Sequence, residues 1–515
     1  MPRRRSRIVL TENIFMRIEI LKRSAVMLYL TVVFSVFTIA QNTTSTLTGT
    51  TSDSDDILPG AVVKLTEVES GISYSAISNQ KGQFRITGLT PGGPYRLEVS
   101  YVGHKKSVID IKRISLGEVY SCNVELTSGN ELQEVIVKGQ AAALRKTGSS
   151  ESISAEDIDN KATVDRTLQD ILAMSPYYIG SGSFGGRDGG MNNYSIDGAN
   201  FNANMGLDRE KMPGAGTPFA LEALEDIQIV NSAFDVKNSN FMGATINAVT
   251  KKGTNTFRGS AYHFYKDESL RGNRVDGEEL TSPRGDIKRT IYGLTLGGPI
   301  IKDKLFFFVS AELENTPLQL HQWQASKDGV EDGKNLISRV TESDMKQFAS
   351  DLQSMYGWNP GSYNDFTGDN KFFRLMTRID WNISKYHKLT LRYNQTNGKK
   401  DNSYSSPGMG MNDGRVSIYS MVFDGSNWKK VDNVYSLTGE LNSRFGNNIT
   451  NTLRASFTFN DANNRECDAA FPCIEIMKPY DGDGKNHAYM SAGYDPYAWL
   501  NGINEKSWNV VDNMN

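Results

Sequence analysis

The C-terminal half of the chain alternates apolar and polar residues many times over. Phe373, Leu375, Ile379, Trp381 and Ile383 are set against Arg374, Arg378, Asp380 and Asn382. Leu389, Leu391 and Tyr393 are set against Lys388, Thr390 and Arg392, and Leu453, Ala455, Phe457 and Phe459 against Thr452, Arg454, Ser456 and Thr458. A period of two sends successive side chains to opposite faces of a strand, so each stretch has one oily and one hydrophilic face. Residues 256–266, 289–296, 304–314, 416–423 and 434–441 follow the same rule and bring the expected total to about eight strands. Water-soluble sandwiches alternate too, so the pattern alone does not choose between water and lipid. Three details favour lipid: aromatic residues near strand ends (Phe306, Phe307, Phe308, Trp381, Tyr393), charges on the hydrophilic face, and polar connections of unequal length. Gly297-Gly298-Pro299 with Lys302-Asp303-Lys304 predicts a tight turn between two of these strands.

Nearer the N-terminus the alternating runs are shorter. Those at 61–65, 74–77, 83–86, 95–101, 108–111 and 120–126 are separated by turn residues at the spacing of a β-sandwich. Residues 129–152 then lose periodicity except for Leu132-Gln133-Glu134-Val135-Ile136-Val137-Lys138-Gly139. Its β-branched run favours an extended backbone, and Gly139 with Ala141 to Ala143 lets it detach. Such a segment suits capture as an added strand by a partner. Beyond it, Ser154 with Asp157 makes a helix-start box, and Leu168, Ile171 and Leu172 recur at helical spacing before Pro176. Thr217-Pro218 opens a run that places Leu221 and Leu224 on one helical face and feeds a strand at 227–230. Asp197-Gly198 reads as a turn, with a buried functional carboxylate as the lesser alternative.

Length and composition narrow the class. A chain of 515 residues holds several domains, and 47 glycines with 10% aromatic residues suit turn-rich β-structure with interfacial rings. A net charge of -3, with basic and acidic residues interspersed, gives no reason to propose nucleic acid as a partner. Ala25 to Ala40 is an apolar run preceded by Lys22 and Arg23, which reads as a secretory signal over residues 1–40 with a cut before Gln41. The extra basic patch of Arg3 to Arg5 and Arg7 makes Met16 a candidate start, and an uncleaved anchor is the other reading. No later apolar run reaches the length of a spanning helix, about 18 residues, so membrane crossing falls to strands. Cys122 sits in a strand-like run as a small buried residue, whereas Cys467 and Cys473 either bridge one exposed loop or remain two thiols.

Residues 224–260, LEDIQIVNSAFDVKNSNFMGATINAVTKKGTNTFRGS, resemble the end of the plug domain in TonB-dependent outer-membrane receptors. Ile227, Ile229, Gly243, Ile246, Asn247, Val249, Thr250, Lys251, Gly253 and Asn255 fall on that pattern. Gly185-Gly186-Arg187 and Tyr194-Ser195-Ile196-Asp197-Gly198 resemble two further plug signatures, and the octet from Leu132 resembles a TonB box. PGAVVKL, the stretch NQKGQFRITGLTPGGPYRLEVSYVGHK and the closing NVELT resemble the carboxypeptidase regulatory-like domain, a transthyretin-like sandwich that brings no catalytic residues. There Asn79, Lys81 and Gly82 form the turn, Phe84 enters the core, and Gly103-His104 stands where Gly-Tyr is common. The run LGGPIIKDKLFFFVSAE resembles the matching hairpin of Oar-like receptors.

These resemblances imply a mainly β protein in several parts. A signal peptide (1–40) is followed by a transthyretin-like β-sandwich (45–127), a linker with the TonB box (128–152), an α+β plug (153–254) and the first strands of a transmembrane antiparallel β-barrel (255–515). Barrels of this kind close with about 22 strands, so the barrel is expected to be incomplete and the chain a C-terminally truncated reading of a longer receptor. The implied function is uptake of a large or scarce ligand across the outer membrane by plug displacement. Periplasmic TonB would pull on Leu132, Gln133, Glu134, Val135, Ile136 and Val137. The remaining partners are outer-membrane lipid, an extracellular ligand and a surface lipoprotein. The plug positions carried over are Arg187, Asp197, Gly198, Gly243, Asn247, Thr250 and Lys251. Long loops at 324–370 and 467–501 offer Tyr356, Trp358, Tyr363, Tyr494, Tyr497 and Trp499 to a ligand. A SusC-like glycan importer with a lipoprotein partner, and a surface adhesin of β-domains, are the rival readings.

Enzymatic motifs do not survive inspection. Gly180 to Gly185 matches GxGxxG, but no βαβ unit surrounds it. The histidines His104, His263, His321, His387 and His487 lack metal-type spacing, and GxSxG and HExxH are absent. Asp481-Gly482-Asp483-Gly484 lacks the glutamate that a calcium loop requires, and Asp53, Asp55 and Asp56 read as a solvated turn. No catalytic residue, metal or cofactor is expected.

Overall fold

The computed structural model describes residues 43–54, 56–129, 135–136, 150–163, 165–202, 217–231, 242–280, 285, 287–364, 366–404, 416–446, 449–467, 470–480, 482 and 484–514. The signal-peptide reading lies outside the described residues.

The sandwich is built from β1 (Ser45–Ser52), β2 (Val62–Glu67), β3 (Ser73–Ile77), β4 (Gln83–Leu89), β5 (Tyr95–Ser100), β6 (Ser107–Ile111), β7 (Val119–Ser121) and β8 (Val124–Glu125). One sheet runs β4-β1-β7 with β8 also on β1; the other runs β3-β2-β5-β6 and gains a fifth strand, β9 (Val135–Ile136). Leu47, Val63, Leu65, Phe84, Tyr95, Leu97, Ile109 and Cys122 meet in the core between them. The sequence reading omitted β1, because STLTGTTS has one large apolar residue and its alternation is between Thr, Ser and Gly. Cross-strand pairing with β4, β7 and β8 decides the matter. Gly49 is required there, since a Cβ would stand 1.8 Å from the Cys122 carbonyl oxygen and 2.6 Å from the Phe84 ring. The acidic turn is only partly solvated, because Asp53 lies 3.0 Å from His104 Nε2.

In the plug, β10 (Ser150–Ser154), Leu224–Val230, Thr245–Thr250, Asn193–Ile196 and Ala199–Asn200 form one five-stranded sheet. Ser154 caps the helix Ala155–Asn160 with a complete capping box, and Thr167 does the same for Leu168–Leu172. The expected helical face at Leu221 and Leu224 shrinks to a 3-10 turn, Leu221–Ala223, and Leu224 already belongs to the strand. So short a helix is costly to nucleate, while the strand finds partners on both sides.

Eight strands then form a single antiparallel meander: Arg258–Asp267, Lys288–Ile301, Leu305–Asn315, Asn370–Asn382, His387–Asn402, Trp428–Phe445, Ile449–Cys467 and Glu505–Met514. The sheet does not close. The expected number is right, but its membership changes: 416–423 contributes only the short strand Met421–Val422 to a separate sheet, and Glu505–Met514 takes the eighth place. The predicted turn also moves. Gly297, Gly298 and Pro299 lie inside a strand, and the reversal is confined to 302–304, with Asp303 left-handed at φ 61°. The glycines make room for rings, since a Cβ would stand 2.9 Å from the Phe308 ring at Gly297 and 2.4 Å from that of Phe257 at Gly298.

Burial in this sheet is inverted relative to a soluble protein. Arg374, Arg378, Asp380, Thr390, Arg392, Glu440 and Arg454 are buried, while Ile379, Trp381, Leu391, Leu437 and Leu453 are exposed. The hydrophilic face wraps the plug and the oily face looks outward, which water would penalise and hydrocarbon would reward. The two ends differ as well. Short reversals follow Ile301, Asn382 and Phe445, and the sandwich packs at that end through Thr87 with Thr450 (3.0 Å) and Arg444 with Ser75 (3.3 Å). Long connections leave the opposite end, and outer-membrane barrels keep short turns on the periplasmic side.

Candidate functional site: the interface of plug, barrel and sandwich

The turn Asp197-Gly198 joins Asn193–Ile196 to Ala199–Asn200 and carries the plug into a cluster of barrel arginines. Both residues are left-handed, at φ 50° and 77°, and Gly198 meets the Arg454 guanidinium so closely that a Cβ would stand 2.1 Å from its nitrogen. Asp197 is only 1% exposed. Its carboxylate accepts from the Thr250 N–H (3.1 Å) and hydroxyl (2.8 Å), and lies 3.5 Å from Arg392 and 4.0 Å from Arg378. The turn of the sequence reading is present, and the Asp197 carboxylate is also buried, as the lesser alternative had it. A left-handed turn is what lets one short side chain reach both Thr250 and the barrel wall.

Barrel side chains complete the cluster. Arg378 donates to both Asp380 oxygens (2.7 and 3.1 Å) and to the Thr250 carbonyl (2.8 Å). Glu440 accepts from Arg454 (3.0 Å), Arg392 (3.4 Å) and Thr43 (3.1 Å). Every buried charge here has an opposite neighbour, which is the condition for keeping charges out of water. A second cluster lies on the same wall. Arg374 donates to Glu312 (2.8 Å), Glu314 (2.7 Å) and the Thr217 carbonyl (2.7 Å) of the plug. Plug and barrel are thus joined by ion pairs and carbonyl caps, bonds that water can replace.

The sandwich is tied to both. Arg113 donates to the Asp226 carboxylate and the Glu225 carbonyl at 2.8 Å each, on a plug strand, and Glu67 is paired with Lys252 at the plug-barrel junction. Burial by itself would raise the Glu67 carboxyl; the Lys252 ammonium, Lys388 and hydrogen bonds from Lys252 and Ser70 outweigh it and hold the group below its ordinary value. A depressed carboxylate stabilises the docked state above its ordinary pKa and loses that contribution as pH falls through the docked value. Lys252→Met should reverse the sign, because burial then dominates and protonation favours docking. The substitution leaves a buried charge without its partner, at a cost of about 3–5 kcal/mol. Protease access to the sandwich boundary between about pH 7 and about pH 3, a window running from above the ordinary carboxylate value to below it, is the measurement: acid should loosen the parent and tighten the variant.

The other predicted positions are distributed unevenly. Asn247 is buried and accepts from Ser195 at 2.6 Å, and Gly243 is required because a Cβ would lie 2.2 Å from Asn192 Oδ1. Lys251 donates its N–H to Ala223, while Arg187 is exposed on a loop and does not join the cluster. Leu132, Gln133, Glu134 and Val137 lie outside the described residues; Val135–Ile136 forms β9. The loops are not open platforms. Segment 324–370 contains a 15-residue helix, Glu342–Tyr356, whose Met345, Phe348 and Leu352 pack with Met421, Phe423, Tyr489 and Met490 into a cap over the long-loop end. Trp358 stacks on Phe471 at 4.2 Å and Tyr363 packs edge-on against Phe423, so both serve the cap's interior. Tyr356 and Tyr497 are exposed, and Tyr494 stacks on the partly exposed Trp499 at 4.7 Å. Cys467 and Cys473 form no disulfide; Cys473 instead lies 3.3 Å from the Tyr404 hydroxyl. Sequence reading placed the arginines of the clusters on the hydrophilic face but missed that they are buried; the available signal was their alternation with the exposed oily residues.

Comparison with known proteins agrees with this arrangement. The family described as outer membrane beta barrel domain matches residues 249–322, and the carboxypeptidase regulatory-like domain matches residues 46–127. The TonB-dependent transporter Oar of Myxococcus xanthus is 24% identical over 382 residues, covering 68% of this chain and 33% of that protein. The chain therefore spans about a third of the length of the curated relative it matches. Among solved structures, the outer membrane transporter YddB from Escherichia coli aligns with a TM-score of 0.47 at 13% identity, covering 71% of this chain and 45% of that one. The ferripyoverdine receptor of Pseudomonas aeruginosa aligns at 0.39 and 14% identity, covering 71% and 49%. Sandwich, plug and lipid-facing sheet follow one another along the chain, which is similar over 382 residues to a TonB-dependent transporter and carries matches to an outer membrane beta barrel domain and a carboxypeptidase regulatory-like domain.

Proposed function

We propose that the chain serves energised uptake through the outer membrane, with the plug as a stopper whose release admits a ligand. The observation that carries this reading is the inverted sheet: an oily exterior around a plug held by charged, water-replaceable bonds. No covalent chemistry is involved, and the chain acts as a receptor and not as an enzyme. The ligand meets the cap first, where Tyr356, Tyr497 and the Tyr494–Trp499 stack are the accessible aromatic surface. TonB, on the periplasmic side, takes hold of residues 132–137 and pulls. Force applied there reaches the plug through β10, which continues directly into its sheet.

Deleting residues 132–137 from the receptor in living cells should reduce energised uptake of its ligand at least tenfold, down to the level of a strain without TonB, while surface binding is retained. Uptake at the parental rate would refute the coupling role. A rival reading as a water-soluble adhesin predicts no heat-modifiable band in outer-membrane fractions, whereas a barrel predicts one.

A further inference from the structure

The coupling segment has a neighbour that its role does not require. Val135–Ile136 lies parallel to β6 as a fifth strand of the sandwich sheet, with Val135 opposite Ser107 and Ile136 opposite Val108. A second observation points to the same edge. Val108 shares its sheet face with exposed Asp110 and is not part of the sandwich core, yet it is only 2% exposed. Val108 is shielded from water where it stands between Glu98 on β5 and Ile136 on β9. We propose that the sandwich holds the coupling peptide of its own chain on the β6 edge, and that this holding competes with capture by TonB.

The inference rests on reading residues 132–137 as the segment that TonB grips. Its physical basis is strand addition, in which main-chain hydrogen bonds give affinity to whichever edge is offered. A peptide lying on β6 is laid flat against a domain that is itself ion-paired to the plug through Arg113 and Lys252. Pulling on it there would load the sandwich before β10 and the plug, so productive capture requires release from β6. Two paired residues make a short ladder, and a partner offering a longer one displaces it. Holding lowers the apparent affinity for TonB by the fraction of peptide that is free.

The test uses the full receptor in isolated outer membranes, with the purified periplasmic domain of TonB as the probe. Cysteines are placed across the pairing as Ser107→Cys with Val135→Cys, each single variant serving as control. Under oxidation the double variant should form an intramolecular crosslink and capture at least tenfold less of the TonB domain; reductant should restore capture. In a separate arm, Val108→Lys, which leaves the peptide untouched, should raise capture several-fold. Undiminished capture by the crosslinked receptor would overturn the proposal, showing presentation instead of holding. So would failure to crosslink while both cysteines react with a maleimide. If the reduced parent captures no TonB domain at all, the coupling role of 132–137 fails first and takes this inference with it.

Discussion

Asp197→Leu should unseat the plug and leave the outer membrane permeable to solutes that the parent receptor excludes. The carboxylate satisfies the Thr250 N–H and hydroxyl and faces Arg378 and Arg392, all of them buried. Removing one partner of a buried charge cluster typically costs about 3–5 kcal/mol, because the remaining charges stay out of water without compensation. Leucine adds roughly 1–2 kcal/mol of strain, since position 197 is left-handed and aspartate tolerates that region far better than a branched aliphatic residue does. Asp380 and Glu440 remain beside the two arginines, so the barrel itself should persist. Asp197→Asn separates the contributions: it keeps the turn and a hydrogen-bond acceptor for Thr250, loses the charge, and should fall between parent and leucine variant. Influx of a large hydrophilic antibiotic into cells, read alongside barrel content in the membrane, is the measurement. Parental influx in the leucine variant would show that the cluster does not secure the plug.

Leu437→Arg is the second large effect, and its direction depends on the solvent outside the sheet. Leu437 is 55% exposed in the middle of the strand Trp428–Phe445, with Tyr393 and Phe457 opposite it on the neighbouring strands. In water, arginine at such a position changes stability by no more than about 0.5 kcal/mol. In a bilayer, a cation on the lipid face near the midplane costs about 2–4 kcal/mol. The variant should therefore reach the outer membrane in reduced amount and melt earlier there. Thr438→Arg would not be an equivalent control, because that side chain is buried against the plug. An arginine at 437 without effect on assembly would remove lipid from the argument.

The long loops pack into a cap instead of standing open. Helix Glu342–Tyr356 has a capping Thr341, a left-handed Gly357 at its end and apolar residues at 345, 348 and 352, all legible signals of an amphipathic helix. The polar and aromatic residues around them give 324–370 the look of a ligand loop in sequence. Trp358 and Tyr363, expected at the ligand surface, instead help to build the cap. An aromatic residue in a long loop looks the same in sequence whether it awaits a ligand or fills a core. Only its neighbours distinguish the two.

Much of the architecture was written locally. The period of two in 373–383, 388–393 and 452–459, the capping box at Ser154 and the turn at Asn79-Lys81-Gly82 are properties of residues close in the chain, and local backbone preferences suffice to express them. Tertiary structure decided the rest. Strand β1 and Glu505–Met514 owe their state to partners far away in sequence, and residues 421–422 pair instead with Lys485–Ala492 in a separate sheet. The burial of Asp197, Arg378 and Glu440 was likewise unreadable, since a charged residue reports its polarity but not which distant counter-charge will compensate its removal from water. Alternation named the two faces of the sheet; the plug on one side and the oily residues left exposed on the other determined which face was the inside.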